Sequence, residues 1–368
     1  MTGEPGPADL AVVGGGVIGS FVAHEALRQR PDWRVLLLER STIGAGATGW
    51  SAGVSFPLAA TPRHRDLVRG SAAGYAALRG TPAGHFLRPV PMIYVVSRPN
   101  RDAVLARLVD AVPRPLTAAE RARVTEILPD LSLGTDDELL THDGHGFAVR
   151  ARPLAETLTG FSRPPALRAH PPWDAAERAE VQLGQRVTAI DGVGGGYRLV
   201  TSHSGFTARR VVLASGPWST PTIRPVPLPP APGSRRKRIA ALHARLPVRP
   251  GDPLVYFVDD DLFILPLTSG AALVSFYREV WDTDPDVADG RPDAADLRAG
   301  TAALARRSAA AAAAVTGGRA FCDLYTDHRV PVVTTDPALP GLAAVRGGSG
   351  SGVRLAPALA AEAVAAVR

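Results

Sequence analysis

The sequence predicts an α/β protein with a parallel sheet flanked by helices and, elsewhere in the chain, strands of an antiparallel sheet. Three observations lead there. The N-terminal stretch "LAVVGGGVIGSFVAHEALRQR", followed by "WRVLLLER", has the order strand, glycine turn, helix, strand. That order is a βαβ unit and implies a parallel sheet. The C-terminal stretch "LAAVRGGSGSGVRLAPALAAEAV" repeats strand, glycine turn and helix. Between them, "PLVYFVDDDLFILPL" and "AALVSFYRE" alternate like strands of an antiparallel sheet, with a turn at 259–261.

The intervening elements follow in order. "PRHRDLVRGSAAGYAALRG" has helical spacing of its apolar residues, "PMIYVVSR" reads as a strand, and "RDAVLARLVDAV" and "TAAERARVTEIL" read as helices. "QRVTAIDGV", "YRLVTS" and "ARRVVLASG" are short β runs separated by glycine turns. The Pro-rich "GPWSTPTIRPVPLPPAPG" is kept extended by proline and is a candidate crossing between domains. The Ala-rich run 294–315 has the propensity of a single helix.

Composition bounds the function classes. At 368 residues the chain can bury a large core or two. A single cysteine, Cys322, allows no internal disulfide and asks for no oxidising compartment. The N-terminus "MTGEPGPADL" has neither the basic flank nor the apolar core of a signal peptide, and no apolar run is long enough to cross a bilayer. A cytoplasmic protein without membrane contact is therefore expected. The net charge of +6 comes almost entirely from arginine, with Lys237 the sole lysine. The densest basic cluster, "SRRKR" at 234–238, has few aromatic neighbours for stacking bases and reads as a solvated loop, so no nucleic-acid partner is expected. His142 and His145 in "THDGHGF", with one Asp, are too few for a metal site and read as a polar turn.

The first glycine turn carries the most specific chemistry. Gly14, Gly16 and Gly19 have G-x-G-x-x-G spacing: the first permits the tight turn, the second lets a pyrophosphate approach the backbone, and the third lets helix and strand pack closely. The helix N-terminus offers N–H groups and positive dipole to phosphates. Glu39 closes the second strand where a carboxylate can hold ribose hydroxyls. The strand "VVLASGPW" at 211–218 ends in small residues that suit a backbone passing near the same dinucleotide. A second glycine-lined helix start at the C-terminus has no use in a simple nicotinamide enzyme. It can instead stabilise negative charge on the pyrimidine end of a reduced flavin.

With these motifs in place, the chain resembles the D-amino acid oxidase superfamily of FAD-dependent enzymes, and within it the branch of glycine oxidase and monomeric sarcosine oxidase. The resemblance rests on "AVVGGGVIGS…VLLLER", the loop "GAGATGWSAG", "VTAID…RRVVLASGPW", "FILPL…ALVSFY" and "GGSGSGVRLAP". It implies a discontinuous, Rossmann-like FAD-binding domain from 1–84, 141–222 and 318–368, with a mixed-sheet α+β substrate domain from 85–140 and 223–317. It also implies hydride transfer from a carbon next to nitrogen, giving an imine, with dioxygen reduced to hydrogen peroxide. The expected substrate is a secondary amine, amino acid or cyclic imino acid, and the expected assembly is a monomer or homodimer.

The resemblance assigns cofactor contacts to Gly14, Gly16, Gly19, Glu39, Arg40, Thr48, Ser51, Val187, Gly216, Cys322, Gly350, Gly352 and Val353. Arg354 falls two places after the last glycine of the C-terminal turn, where sarcosine-oxidase-like enzymes hold the substrate carboxylate. A guanidinium fork suits that task. Cys322 lies in "CDLYT", one residue longer than the "C-x-Y-T" in which relatives attach flavin as a thioether. A covalent link through Cys322 is thus the expectation, with simple packing of the thiol as its rival. Departures are also visible. Val274 stands where those relatives place an oxygen-activating lysine, Pro57–Leu58 replace a second arginine, and Phe263 replaces a substrate-facing tyrosine. Two other readings remain open: a dehydrogenase with a non-oxygen acceptor or a 2-hydroxy acid substrate, and a flavin-binding protein without turnover.

Overall fold

The computed structural model describes residues 6–143, 146–161, 179–287 and 290–368. These form four sheets. The first has six strands in the order β20 (Val332–Thr335), β21 (Leu342–Arg346), β13 (Val211–Leu213), β1 (Leu10–Val13), β2 (Val35–Leu38) and β9 (Glu180–Gln182). All its pairings are parallel except β20 with β21. The apolar runs of β1 and β2 do not alternate because both of their faces are covered. Leu10, Val12 and Leu37 pack into the helical layer, while Ala11, Val13, Leu36 and Leu38 pack against a second sheet. That sheet has the order β12 (Gly205–Ala208), β11 (Gly196–Thr201), β10 (Val187–Val193) and β14 (Thr222–Arg224).

The third sheet has eight strands: β19 (Val315–Tyr325), β15 (Arg235–Ala244), β18 (Ala271–Ser275), β17 (Leu262–Thr268), β16 (Leu254–Phe257), β5 (Met92–Ser97), β7 (Asp137–His142) and β6 (Pro113–Pro115). It is mixed, since β16 and β5 run parallel inside an otherwise antiparallel sheet. A three-stranded sheet of β3 (Val54–Ser55), β8 (Gly146–Val149) and β4 (Leu87–Val90) completes the set. The helices are α1 (Val17–Gln29), α2 (Ala47–Trp50), α3 (Pro62–Ala77), α4 (Arg101–Leu105), α5 (Ala118–Ile127), α6 (Ala151–Leu158), α7 (Ala294–Ala305), α8 (Ala309–Ala313) and α9 (Gly352–Ala366). Thr117 and Asp293 start α5 and α7 with full capping boxes.

Four expectations need correction. The Ala-rich run is two helices and the start of a strand, because Ser308 caps a new helix by accepting from Ala311 N–H and Asp130 accepts from Ala310 N–H. The basic cluster 234–238 is no solvated loop. Residues 235–238 begin β15, which is hydrogen-bonded on both sides, and Lys237 is buried. "RDAVLARLVDAV" keeps only α4 as helix; beyond it, the Ala59 and Val109 amides bond across to Arg107 O and Pro57 O. The Pro-rich stretch does lead from β13 toward β15, yet it also supplies β14 as a parallel partner of β10. His142 ends β7 and is buried, while His145 lies outside the described residues.

The layer over the parallel sheet brings α1, α3 and α9 together. Gly70 and Gly74 let α3 come close to α9: an added Cβ at Gly74 would lie 2.4 Å from Pro357. Pro357 sits inside α9 and has no N–H, so the carbonyl four residues earlier, on Val353, lacks its helical donor. The hydroxyl of fully buried Tyr75 donates to that carbonyl instead. Tyr75→Phe should leave it unserved and cost about 1–3 kcal/mol, read by urea unfolding. An unchanged unfolding midpoint would show that another donor replaces the hydroxyl.

Candidate active site

A cavity of about 1040 Å³ opens between the carboxyl end of the parallel sheet and the eight-stranded sheet. At one end, the turn after β1 is held tightly. Gly14 has φ +109° and an added Cβ would lie 2.5 Å from Ala214 O, while one at Gly19 would lie 1.9 Å from Gly14 O. At Gly16 only Thr48 Oγ1, at 3.2 Å, would be met, so its other side opens to the cavity. Thr48 Oγ1 accepts from Val17 N–H at 2.8 Å. Gly16 precedes α1 without a capping side chain, and the first turn holds no acid. Its positive end is left for an anion.

Glu39 accepts from Gly15 N–H and Ser41 N–H, each at 2.7 Å, and lines the cavity. Burial raises its pKa against the pull of those two amides. Arg40 pairs with Asp286 at 2.7 Å and stacks over Trp218. A second helix start meets the same cavity: Ser351 precedes α9 without a side-chain cap, after Gly347, Ser349 and Gly350 at φ +72°, +50° and +73°. One cavity thus has two uncapped helix N-termini and a fixed carboxylate. That donor set fits FAD: the α1 amides would hold the pyrophosphate, Glu39 the ribose, and the start of α9 the flavin.

Arg354 lies in the first turn of α9, buried, with its pKa lowered by burial to about 10 and so still charged at neutral pH. Its Nη1 donates to Leu58 O at 3.0 Å and Phe56 O at 3.4 Å; its Nη2 donates to Ser351 Oγ and His64 Nε2, both at 2.8 Å. No carboxylate pairs with it among the described residues. Burial, followed by the charges of Arg354 and Arg107, pushes His64 down to about 4, which leaves the ring neutral and able to accept. Phe56, Tyr256 and Phe263 form an aromatic wall beside it, with centroids 5.3, 5.4 and 6.2 Å apart.

Of the residues expected at the cofactor, Gly14, Gly16, Glu39, Arg40, Thr48, Ser51, Val187, Gly216, Gly350, Gly352 and Val353 all line the cavity, as do Arg354 and Phe263. Gly19 stays behind the turn. Cys322 is not brought in. Phe321 and Asp323 line the cavity, so by strand alternation Cys322 points to the other face of β19, where Sγ lies 3.6 Å from Thr283 O. Burial raises the thiol's pKa to about 12, which leaves no thiolate at neutral pH. Val274 is likewise turned away into the core, and its neighbour Ser275 lines the cavity.

Several site residues escaped the sequence reading. Asp323, counted two places back from Tyr325, occupies the "C-x-Y-T" cysteine position, and that count was the available signal. Its carboxylate accepts from Gly350 N–H and Leu324 N–H at 2.8 Å, and burial raises it to about 6. Lys237 places Nζ 4.0 Å from the Tyr277 centroid and 5.2 Å from those of Trp281 and Tyr325. Nothing in "SRRKR" marks it as a cavity residue. His64 and Arg107 carried no motif at all.

Residues 9–366 match the DAO family of FAD dependent oxidoreductases, and the chain belongs to that family. Among solved structures, it is similar to glycine oxidase from Geobacillus kaustophilus, with 21% identity, TM-score 0.77, and coverage of 99% of this chain and 95% of that one. It is also similar to L-proline dehydrogenase from P. horikoshii, with 16% identity, TM-score 0.77, and coverage of 98% and 93%. Iminodiacetate oxidase from Chelativorans sp. BNC1 gives 20% identity, TM-score 0.75, and coverage of 97% and 95%. Comparison of the sequence with curated proteins gives no match. Among the described residues no helix is long and apolar enough to cross a membrane.

Because Cys322 faces away from the cavity, FAD should be held without a covalent bond. Acid precipitation should leave a white pellet with all FAD in the supernatant, and Cys322→Ala should retain the same flavin content. A yellow pellet carrying the mass of one FAD on the chain would contradict that placement.

Proposed function

We propose that this FAD-dependent oxidoreductase oxidises the carbon–nitrogen bond of a carboxylated amine or amino acid to an imine, with dioxygen as acceptor and hydrogen peroxide as product. The observation that carries the reading is Arg354: a buried cation without an acidic partner among the described residues, set at the start of α9 where it lines the cavity. A buried charge needs a counter-charge, and a substrate carboxylate supplies one. Solved relatives named as glycine oxidase and iminodiacetate oxidase lend support, since both names denote carboxylated amines. The division into FAD-binding and substrate domains expected from the sequence forms part of the same proposal.

Bound FAD supplies the hydride acceptor, so the protein's own residues bind, orient and shield. Arg354 anchors the carboxylate. His64, neutral and accepting from Nη2, holds the guanidinium in one plane, and the Phe56 and Leu58 carbonyls hold it from the other side. Phe263 and Tyr256 exclude water from the reacting carbon, with the Tyr256 hydroxyl tied to Asp261 at 3.1 Å. A dry pocket with a cation favours the neutral amine, whose lone pair drives hydride departure.

A panel of carboxylated primary and secondary amines, followed by flavin bleaching without oxygen and peroxide release with it, tests the reading. Arg354→Ala should lower kcat/KM by about 3 kcal/mol of transition-state binding, and Arg354→Lys should recover only part because an ammonium cannot make the bonds to Leu58 O, Ser351 Oγ and His64 Nε2 that hold the charge in place. Unchanged kcat/KM in Arg354→Ala would remove the anchor role. Bleaching without peroxide would mark a dehydrogenase.

A further inference from the structure

Arg107 lines the same cavity as Arg354. Its side chain has no hydrogen bond or ion pair among the described residues, whereas Arg40, Arg238 and Arg278, on other walls of the cavity, each pair with an aspartate. The turn that bears Arg107 is fixed. Arg65 spends its guanidinium on Ala106 O and Leu108 O, both at 2.8 Å, on either side of Arg107. Ala59 N–H donates to Arg107 O at 2.8 Å, and Val109 N–H donates to Pro57 O at 2.9 Å.

The strip at residues 57–59 therefore carries both cations: the Arg107 backbone pairs along it, and the Arg354 guanidinium bonds to its Leu58 carbonyl. The Arg107 charge is felt at His64, Tyr256 and Arg354, in each case as a lesser influence than burial. The cavity that both arginines line also has apolar and aromatic lining from Phe56, Leu58 and Tyr256. Two like charges bordering one pocket favour an anion that meets both.

From this geometry we infer that the substrate is dianionic: an amino or imino dicarboxylate whose reacting end is held by Arg354 and whose second carboxylate, across a short apolar spacer, is held by Arg107. This rests on the carboxylate role proposed for Arg354. It assigns Arg107 as the residue that selects diacids over simple amino acids. Arg107 is exposed to solvent, so its pairing is weak beside a buried one and should be strongly screened by salt.

The test titrates the FAD-loaded enzyme with two series of non-reactive probes and follows the perturbation of flavin absorbance. Acetate, propionate and butyrate form one series; malonate, succinate, glutarate and adipate form the other. The best diacid should bind at least about fivefold more tightly than the best monoacid. Arg107→Ala should erase that advantage while leaving acetate affinity within about threefold, and Arg107→Lys should restore part of it. Diacids that bind no better than monoacids, or an advantage that survives Arg107→Ala, would overturn the inference while leaving Arg354 as an anchor. If neither series perturbs the wild-type flavin, or if acetate binds equally well to Arg354→Ala, the carboxylate role of Arg354 fails, and the dianionic assignment fails with it.

Discussion

The start of the last helix depends on one displaced hydrogen bond. Pro357 removes the donor that the Val353 carbonyl would have used, and the Tyr75 hydroxyl replaces it from the neighbouring helix. The residue after Val353 is Arg354. The same bond that repairs the helix therefore sets where the guanidinium leaves the backbone. On the other side, Asp323 accepts from Gly350 N–H and ties the glycine turn to β19. A cation in the first turn of a helix opposes the macrodipole. Its presence there becomes intelligible once an anion is expected beside it.

The cavity is a charge-matching device. Its dinucleotide end offers amides and a helix dipole, together with a carboxylate whose lone pairs are partly used by Gly15 and Ser41 N–H. Its other end offers the buried Arg354 guanidinium, which no carboxylate among the described residues neutralises. In a low-dielectric pocket such charges select strongly for ligands of opposite sign. His64 takes part only because it stays neutral: burial beside two arginines holds its pKa near 4, which preserves a lone pair for Arg354. Lys237, caged by three aromatic rings, adds a further cation whose pKa is pulled down by burial and then by Arg329.

Much of the architecture was legible because its signals are local. Gly14, Gly16 and Gly19 announce the turn, and the apolar runs at Leu10–Val13 and Val35–Leu38 announce a sheet covered on both faces. Arg354 was legible through its spacing from the C-terminal glycines. Other features depend on what lies opposite in space. Lys237 is buried because its stretch of β15 pairs with β19 on one side and with residues 280–282 on the other, which no feature of an Arg-rich pentapeptide reveals. Cys322 was misplaced by one residue, and a single step along a strand reverses the face. The Ala-rich run divides at Ser308 because Asp130, far away in sequence, helps to cap the second piece. His64 and Arg107 become site residues only when α3 and the turn after α4 fold toward α9.

The proposed arrangement puts FAD along one cavity and leaves a substrate-sized space in front of Arg354. A crystal structure of the FAD-loaded protein is the most direct measurement of it. The pyrophosphate should lie on the α1 amides at Gly16, the ribose on Glu39, and the flavin ring should end at the glycine turn before α9 with open space between its reactive face and the Arg354 guanidinium. A ring that fills the space at Arg354, or that bonds to Arg354 in place of a substrate, would contradict the account.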